Sequence, residues 1–122
     1  MARILIVDDE PSIRELIKEV LLMQGHTFAT AENGSQALEK LRAEKFDLMI
    51  SDRNMPVMDG IQAVTLARSN PAYAKMKIIM CTSCSVGKEV DEAFKAGAND
   101  YCLKPINLQL LAAKVLKALS TP

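Results

Sequence analysis

The sequence predicts an α/β protein: a doubly wound sheet of five parallel strands in the order 2-1-3-4-5, with a helix after each strand. Three observations carry this. Short apolar runs rich in β-branched residues, at residues 4–7, 47–51 and 77–81, read as strands buried on both faces, as parallel strands covered by helices are. Amphipathic segments of helical spacing lie between them. Regular strand-then-helix alternation implies right-handed crossovers and helices on both faces of one sheet.

Taken in order, Ile4-Leu5-Ile6-Val7 is the first strand. Pro11 suits the first turn of a helix in which Ile13, Leu16, Ile17, Val20 and Leu21 repeat inward, and Gly25 suits its left-handed end. Thr27–Ala31 alternates polar and apolar residues, the pattern of an edge strand. Asn33 can cap a second helix carrying Ala37, Leu38 and Leu41. After the third strand at 47–51, a third helix is expected from about Met58 to Arg68, with Pro71 in the loop beyond. The fourth strand at 77–81 precedes a helix over Gly87–Ala96 that Gly97 ends. Asn99–Leu103 is the fifth strand, and a last helix runs from Asn107 with Leu111, Ala112, Val115, Leu116 and Leu119 inward. Five strands in this alternation suit the flavodoxin-like order, whose switch point lies between strands one and three.

At 122 residues the chain fits one domain, expected over 1–122 with Ser120-Thr121-Pro122 as a tail or the start of a linker. Fifteen basic and fifteen acidic residues leave no global field to draw nucleic acid or a membrane surface, so neither is expected as a partner. The first apolar run is too short for a signal peptide or a membrane span, so a cytoplasmic location is expected. The odd set Cys81, Cys84 and Cys102 argues against a secreted disulfide framework. Cys81-Thr-Ser-Cys84 is a C-x-x-C, but Cys102 and the sole histidine, His26, lack ligand spacing, so the thiols read as buried and structural.

The chemistry sits at the strand ends: Asp8-Asp9 after the first, Asp52 after the third, Thr82 after the fourth, and Lys104-Pro105 after the fifth. In an open parallel sheet the carboxyl ends of the strands line one crevice, so these groups converge. Three carboxylates together repel, since two unit charges about 4 Å apart interact by about 4 kcal/mol at an effective dielectric near 20. A hard divalent cation answers that need, Mg²⁺ above all, and Lys104 adds a compact second positive charge. A cis peptide at Pro105 is expected, aiming the Lys104 ammonium at the site.

Val7-Asp8-Asp9, the run Ile50-Ser51-Asp52-Arg53-Asn54-Met55-Pro56-Val57-Met58-Asp59-Gly60, Thr82, and Tyr101-Cys102-Leu103-Lys104-Pro105 together resemble the receiver domains of two-component response regulators, including the single-domain chemotaxis type. Each element alone is weak, but their order and placement at strand ends make the combination specific. The resemblance implies that Asp52 is the phosphoacceptor, fed by a phosphohistidine on a sensor histidine kinase or histidine phosphotransfer protein, or by a small acyl phosphate. It implies a Mg²⁺ site, with Mn²⁺ a plausible substitute, formed by Asp9, by Asp8 through water, by an Asp52 oxygen and by the backbone carbonyl of Asn54. Lys104 would neutralise charge on the transferring group, Thr82 would hydrogen-bond the bound phosphoryl, and Tyr101 would turn inward behind it. The face of the fourth helix, fifth strand and fifth helix would then change its affinity for a downstream effector, in a protein that is a monomer or dimerises on activation. Ser83 stands where the family usually has a small Ala. Arg53 and Cys84 hold variable positions that in this family tune phosphoryl lifetime.

Simpler readings exist for each residue. Asp8-Asp9 could cap the helix near Pro11, and Tyr101 could be ordinary core. An acid cluster without a task costs stability, which favours the functional reading of the whole set. A haloacid-dehalogenase-like phosphatase would share the sheet and an aspartyl phosphate, but its nucleophile sits after the first strand in an Asp-x-Asp pattern, where this chain has Asp8-Asp9-Glu10. A receiver-shaped module that binds partners without phosphorylation would not need the full acidic, Thr and Lys set. The expected protein is therefore a switch rather than an enzyme, with at most self-phosphorylation from small donors and self-dephosphorylation.

Overall fold

A computed structural model of the chain describes residues 1–83 and 87–121. Five strands, β1 (Arg3–Val7), β2 (Thr27–Ala31), β3 (Leu48–Asp52), β4 (Lys77–Thr82) and β5 (Asp100–Leu103), alternate with five helices, α1 (Pro11–Met23), α2 (Gly34–Ala43), α3 (Gly60–Arg68), α4 (Gly87–Ala96) and α5 (Leu108–Ser120). The strands pair in parallel in the order β2-β1-β3-β4-β5, as the alternation predicts. Among the described residues no helix is long and apolar enough to cross a membrane.

The three central strands are buried on both faces because each face carries its own apolar layer. Leu5, Val7, Met49, Ile78 and Met80 point to a core completed by Ala37 and Leu41 of α2, Val64 and Ala67 of α3 and Ala93 of α4. The alternate residues Ile4, Ile6, Ile50, Ile79 and Cys81 point to a second core, closed by Ile17, Val20 and Leu21 of α1 and by Leu111, Val115 and Ala118 of α5. Burying each such Ile or Leu fully stabilises the fold by about 1.5–3 kcal/mol, so the central strands are the rigid part of the molecule.

Register then sets the height of every strand end. Val7 pairs with Ser51, Asp52 with Cys81, and Thr82 with Leu103. The residues at or just past these positions, Asp8, Asp52, Thr82 and Lys104, therefore share one edge of the sheet.

Local chemistry explains the helix ends. Asn33 caps α2 through the Gln36 N–H at 2.9 Å. Asp59 and Gln62 form a reciprocal capping box that starts α3 at Gly60, two residues later than the expected Met58, because the chain first turns through Val57 at φ +70°. Pro71 opens a 3-10 turn, Pro71–Tyr73, capped by the Asn70 side chain, rather than lying in a plain loop. The cap of α1 is Glu10, whose side chain makes no capping bond, so neither Asp8 nor Asp9 is spent on that task. Gly25 takes φ +80° past the end of α1, as expected.

One expectation for α5 needs correction. Leu116 does not face inward: it is 65% exposed, while Leu111, Val115 and Ala118 are buried and Ala112 and Leu119 pack at the margin. At 100° per residue Leu116 lies a quarter-turn and more from Val115, outside the stripe that meets the sheet.

Candidate functional site

Lys104 is the centre of the crevice. Its Nζ lies 3.0 Å from Asp8 Oδ2 and 3.2 Å from Asp52 Oδ1, bridging carboxylates that end neighbouring strands. Lys104 N–H donates to the Thr82 carbonyl at 2.8 Å, which carries the β4–β5 ladder one residue past β5 and fixes where the side chain departs. The Lys104–Pro105 peptide is cis, as expected. Asp8, Asp52 and Thr82 are buried polar residues, whereas Asp9 is exposed.

Asp52 is the last residue of β3. Burial raises its pKa from the usual aspartate value and the Asp8 charge raises it further, against the Lys104 ammonium and the Asn54 backbone N–H, which favour the ionised form. Burial alone would lower the Lys104 pKa. The hydrogen bond to Asp8 and the fields of Asp52 and Asp8 outweigh it, so the ammonium is held above its usual value. One cation against two buried carboxylates leaves an excess of negative charge.

The donors fit a hard divalent ion. Carboxylate oxygens of Asp8, Asp9 and Glu10 lie within 4.8 Å of one another, and of the three it is Asp8 whose charge acts on Asp52. Asp8 is pre-oriented, since its Oδ1 accepts the Glu10 N–H at 2.9 Å and its backbone carbonyl accepts Arg14 Nη1 at 2.7 Å. All-oxygen donors with room for water are what Mg²⁺ takes. Sequence reasoning assigned Asp8 and Asp9 but not Glu10, although the contiguous acids at a strand end were a visible signal.

Tyr101 is half-buried in β5. Phe94 of α4 meets its ring edge-on at 6.0 Å between centroids, and Lys114 Nζ stands 5.1 Å from the ring centre while pairing with Asp100 at 3.0 Å. Arg53, next to the Asp52 carboxylate in sequence, turns instead to α4: it pairs with Glu92 at 2.8 Å and with Glu89 at 3.6 Å, and donates to the Glu89 carbonyl at 3.1 Å. Those partners lie 36 and 39 residues away and carry no local signal in the sequence. Asn54 and Ser83 are exposed at the mouth. Cys81 and Cys102 are buried register partners on β4 and β5, as structural thiols are, and Cys84 lies outside the described residues. His26 accepts the Ala2 N–H on Nδ1 at 3.0 Å, far from the acids.

The site is a shallow charged crevice. A hollow of about 660 Å³ lined by Phe46, Tyr73 and Met76 opens at the other end of the sheet, beside the starts of β3 and β4, and contains none of these groups.

Comparison with known proteins agrees with this geometry. The response regulator receiver domain family matches residues 4–116. The chemotaxis protein CheY of Bacillus subtilis is 41% identical over 119 residues, covering 97% of this chain and 94% of that protein. The response regulator protein FleR of Pseudomonas aeruginosa is 36% identical over 90% of this chain, which spans only 23% of FleR. Among solved structures, the chemotaxis response regulator CheY4 of Vibrio cholerae superposes with a TM-score of 0.92 at 35% identity, covering 98% of this chain and 99% of that one. A BeF3-activated DrrB receiver domain superposes at 0.89 with 28% identity, covering 99% of each chain. Strand order, crevice and relatives converge: the chain belongs to the response regulator receiver domain family, of the CheY-like type found in two-component signalling.

Proposed function

We propose that Asp52 accepts a phosphoryl group from a phosphohistidine of a sensor histidine kinase or histidine phosphotransfer protein, and that the whole domain, 1–122, acts as the switch this modification throws. The observation that carries the reading is the Lys104 bridge, 3.0 Å from Asp8 and 3.2 Å from Asp52, in a crevice still short of positive charge. In the transfer an Asp52 oxygen bonds to phosphorus as the P–N bond to the donor imidazole breaks. The imidazole leaves with the electron pair. A small acyl phosphate would serve through cleavage of its P–O bond, and water would later hydrolyse the aspartyl phosphate.

Bound Mg²⁺, or Mn²⁺ in its place, supplies Lewis-acid neutralisation of the phosphoryl oxygens. Asp8, Asp9, Asp52 and the Asn54 carbonyl would hold it. Lys104 holds its proton and offers the ammonium to an equatorial oxygen, which lowers the cost of charge spread over the group. The Thr82 hydroxyl donates to the attached phosphoryl, and Tyr101 follows inward from between Phe94 and Lys114. The α4-β5-α5 face, which exposes Phe94, Leu103, Leu110 and Leu116, then binds a downstream effector. The protein works as a cytoplasmic signalling domain, monomeric at rest with dimerisation open on activation, and without turnover beyond self-phosphorylation and self-dephosphorylation.

Incubation with Mg²⁺ and acetyl phosphate followed by intact mass measurement tests the reading. One phosphoryl adduct is expected, absent in Asp52→Asn. No adduct, or an adduct that persists in that variant, overturns it.

A further inference from the structure

We propose that Arg53 is a positioning residue: an ionic latch that holds α4 against the end of β3 in the unphosphorylated protein and lets go when Asp52 is phosphorylated. The inference rests on the roles of Asp52 and Thr82 given above and adds what restrains the moving part.

α4 is the helix least held by the core. It buries one side chain, Ala93, where α1 buries Ile17, Val20 and Leu21 and α5 buries Leu111, Val115 and Ala118. Its large apolar residue, Phe94, is 43% exposed. Elements with few buried apolar contacts shift most easily, so polar contacts decide where such a helix rests.

Among the described residues, the principal polar contact comes from Arg53. Its side chain is only 13% exposed, yet it reaches three groups on α4: the Glu92 carboxylate at 2.8 Å, the Glu89 carboxylate at 3.6 Å and the Glu89 carbonyl at 3.1 Å. A planar guanidinium satisfied at several acceptors fixes orientation as well as distance.

The two ends of this latch belong to different parts of the molecule. Arg53 is anchored through its backbone, whose N–H donates to the Cys81 carbonyl at 2.9 Å and whose carbonyl accepts the Gly60 N–H at 2.8 Å. Glu89 and Glu92 travel with α4, which starts at Gly87, five residues past Thr82. A Thr82 drawn toward a phosphoryl on Asp52 therefore pulls the start of α4 while Arg53 stays in place. The latch opposes that movement, so it favours the unphosphorylated arrangement and lowers affinity for anything that needs the other one.

Beryllium fluoride with Mg²⁺ is the probe, titrated into the wild type, Glu92→Gln, Arg53→Gln and the double variant, with hydrogen exchange of the α4 amides followed in the free proteins. Glu92 is exposed enough that its neutral isostere keeps the fold. Each single variant should bind the probe about threefold to fivefold more tightly, as a partly exposed ion pair permits, and its α4 amides should exchange faster. The double variant should add nothing further, because both changes open one contact. A residue with a merely structural role would loosen α4 and weaken the probe. Unchanged α4 exchange, unchanged or weaker probe binding in the variants, or additive effects in the double variant overturn the latch. Failure of the wild type itself to bind the probe overturns the phosphoacceptor reading, and the release step falls with it.

Discussion

The Lys104 ammonium stands 3.0 Å from the Asp8 carboxylate across 96 residues of chain, and it spans the crevice to Asp52 at 3.2 Å. This contact ties the end of β5 to the end of β1 over β3 and β4, so it is structural as well as chemical. Truncation in Lys104→Met leaves two buried carboxylates facing each other. Removing one partner of a fully buried pair costs about 3–5 kcal/mol, and Lys104 keeps some solvent, so a loss of about 2 kcal/mol is expected in urea unfolding. The same substitution in an Asp52→Asn background should cost less than half as much, since one of the opposed charges is gone. Equal costs in both backgrounds would show that the ammonium does not balance Asp52.

Asp52→Asn should stabilise the protein at neutral pH. The folded-state pKa of Asp52 is raised, first by burial and then by Asp8, so the folded protein holds that proton more tightly than the unfolded chain does. Its contribution is therefore fully present below the unfolded carboxylate value and is lost as pH rises through the raised folded value. Asparagine removes that loss. A gain of a few degrees in Tm is expected at pH 7.5, shrinking as pH falls through the raised folded value and gone below about 4, where Asp52 is neutral in the folded and the unfolded chain alike. A variant melting below the wild type at pH 7.5 in metal-free buffer would contradict the sign.

Gly60 begins α3 against the end of β3. A Cβ there would run into the Asp52 carbonyl oxygen and stand 2.9 Å from the Arg53 Cα, both of them backbone that cannot swing aside. Gly60→Ala must push α3 from the end of β3 and break the Gly60 N–H bond to the Arg53 carbonyl. A destabilisation of about 2 kcal/mol is expected, with slower phosphorylation of the molecules that remain folded. Circular dichroism melts and adduct formation from acetyl phosphate measure the two effects separately. Wild-type behaviour in both would mean that the approach is not tight in solution.

Much of this was legible because apolar pattern and chemistry point the same way. The buried strands carry short apolar runs, and an acid or a hydroxyl ends each, so strand order and the crevice at the strand ends could be read together. Leu116 could not: a leucine one position off the inward stripe looks apolar in composition and lies outside by geometry. The partners of Arg53 were hidden for another reason, since Glu89 and Glu92 resemble any solvated helix face until the fold brings β3 beside α4. Backbone conformation was visible where proline or glycine marks it, as at Pro105 and Gly25, and hidden where neither does.

Val57 shows this, and it yields a further prediction. Its φ of +70° places a β-branched side chain in the left-handed region, where Cβ crowds the following carbonyl at a cost of about 1–2 kcal/mol. At 82% exposure the side chain recovers almost none of that through packing. The turn is nevertheless fixed from both sides, by the Asp59–Gln62 capping box and by the Gly34 N–H donating to the Met58 carbonyl at 2.9 Å, so the chain cannot relax into a commoner conformation. Val57→Asn should therefore stabilise the protein by about 0.5–1 kcal/mol, because asparagine tolerates this conformation. Val57→Gly relieves the same strain but frees the unfolded chain, so its gain should be smaller. Val57→Ala keeps a Cβ and loses only the branch, and it should fall closest to wild type. Urea midpoints ranked Asn, Gly, Ala, wild type from most to least stable would establish strain at this turn, and an asparagine variant no more stable than the alanine one would show that the positive φ carries no cost.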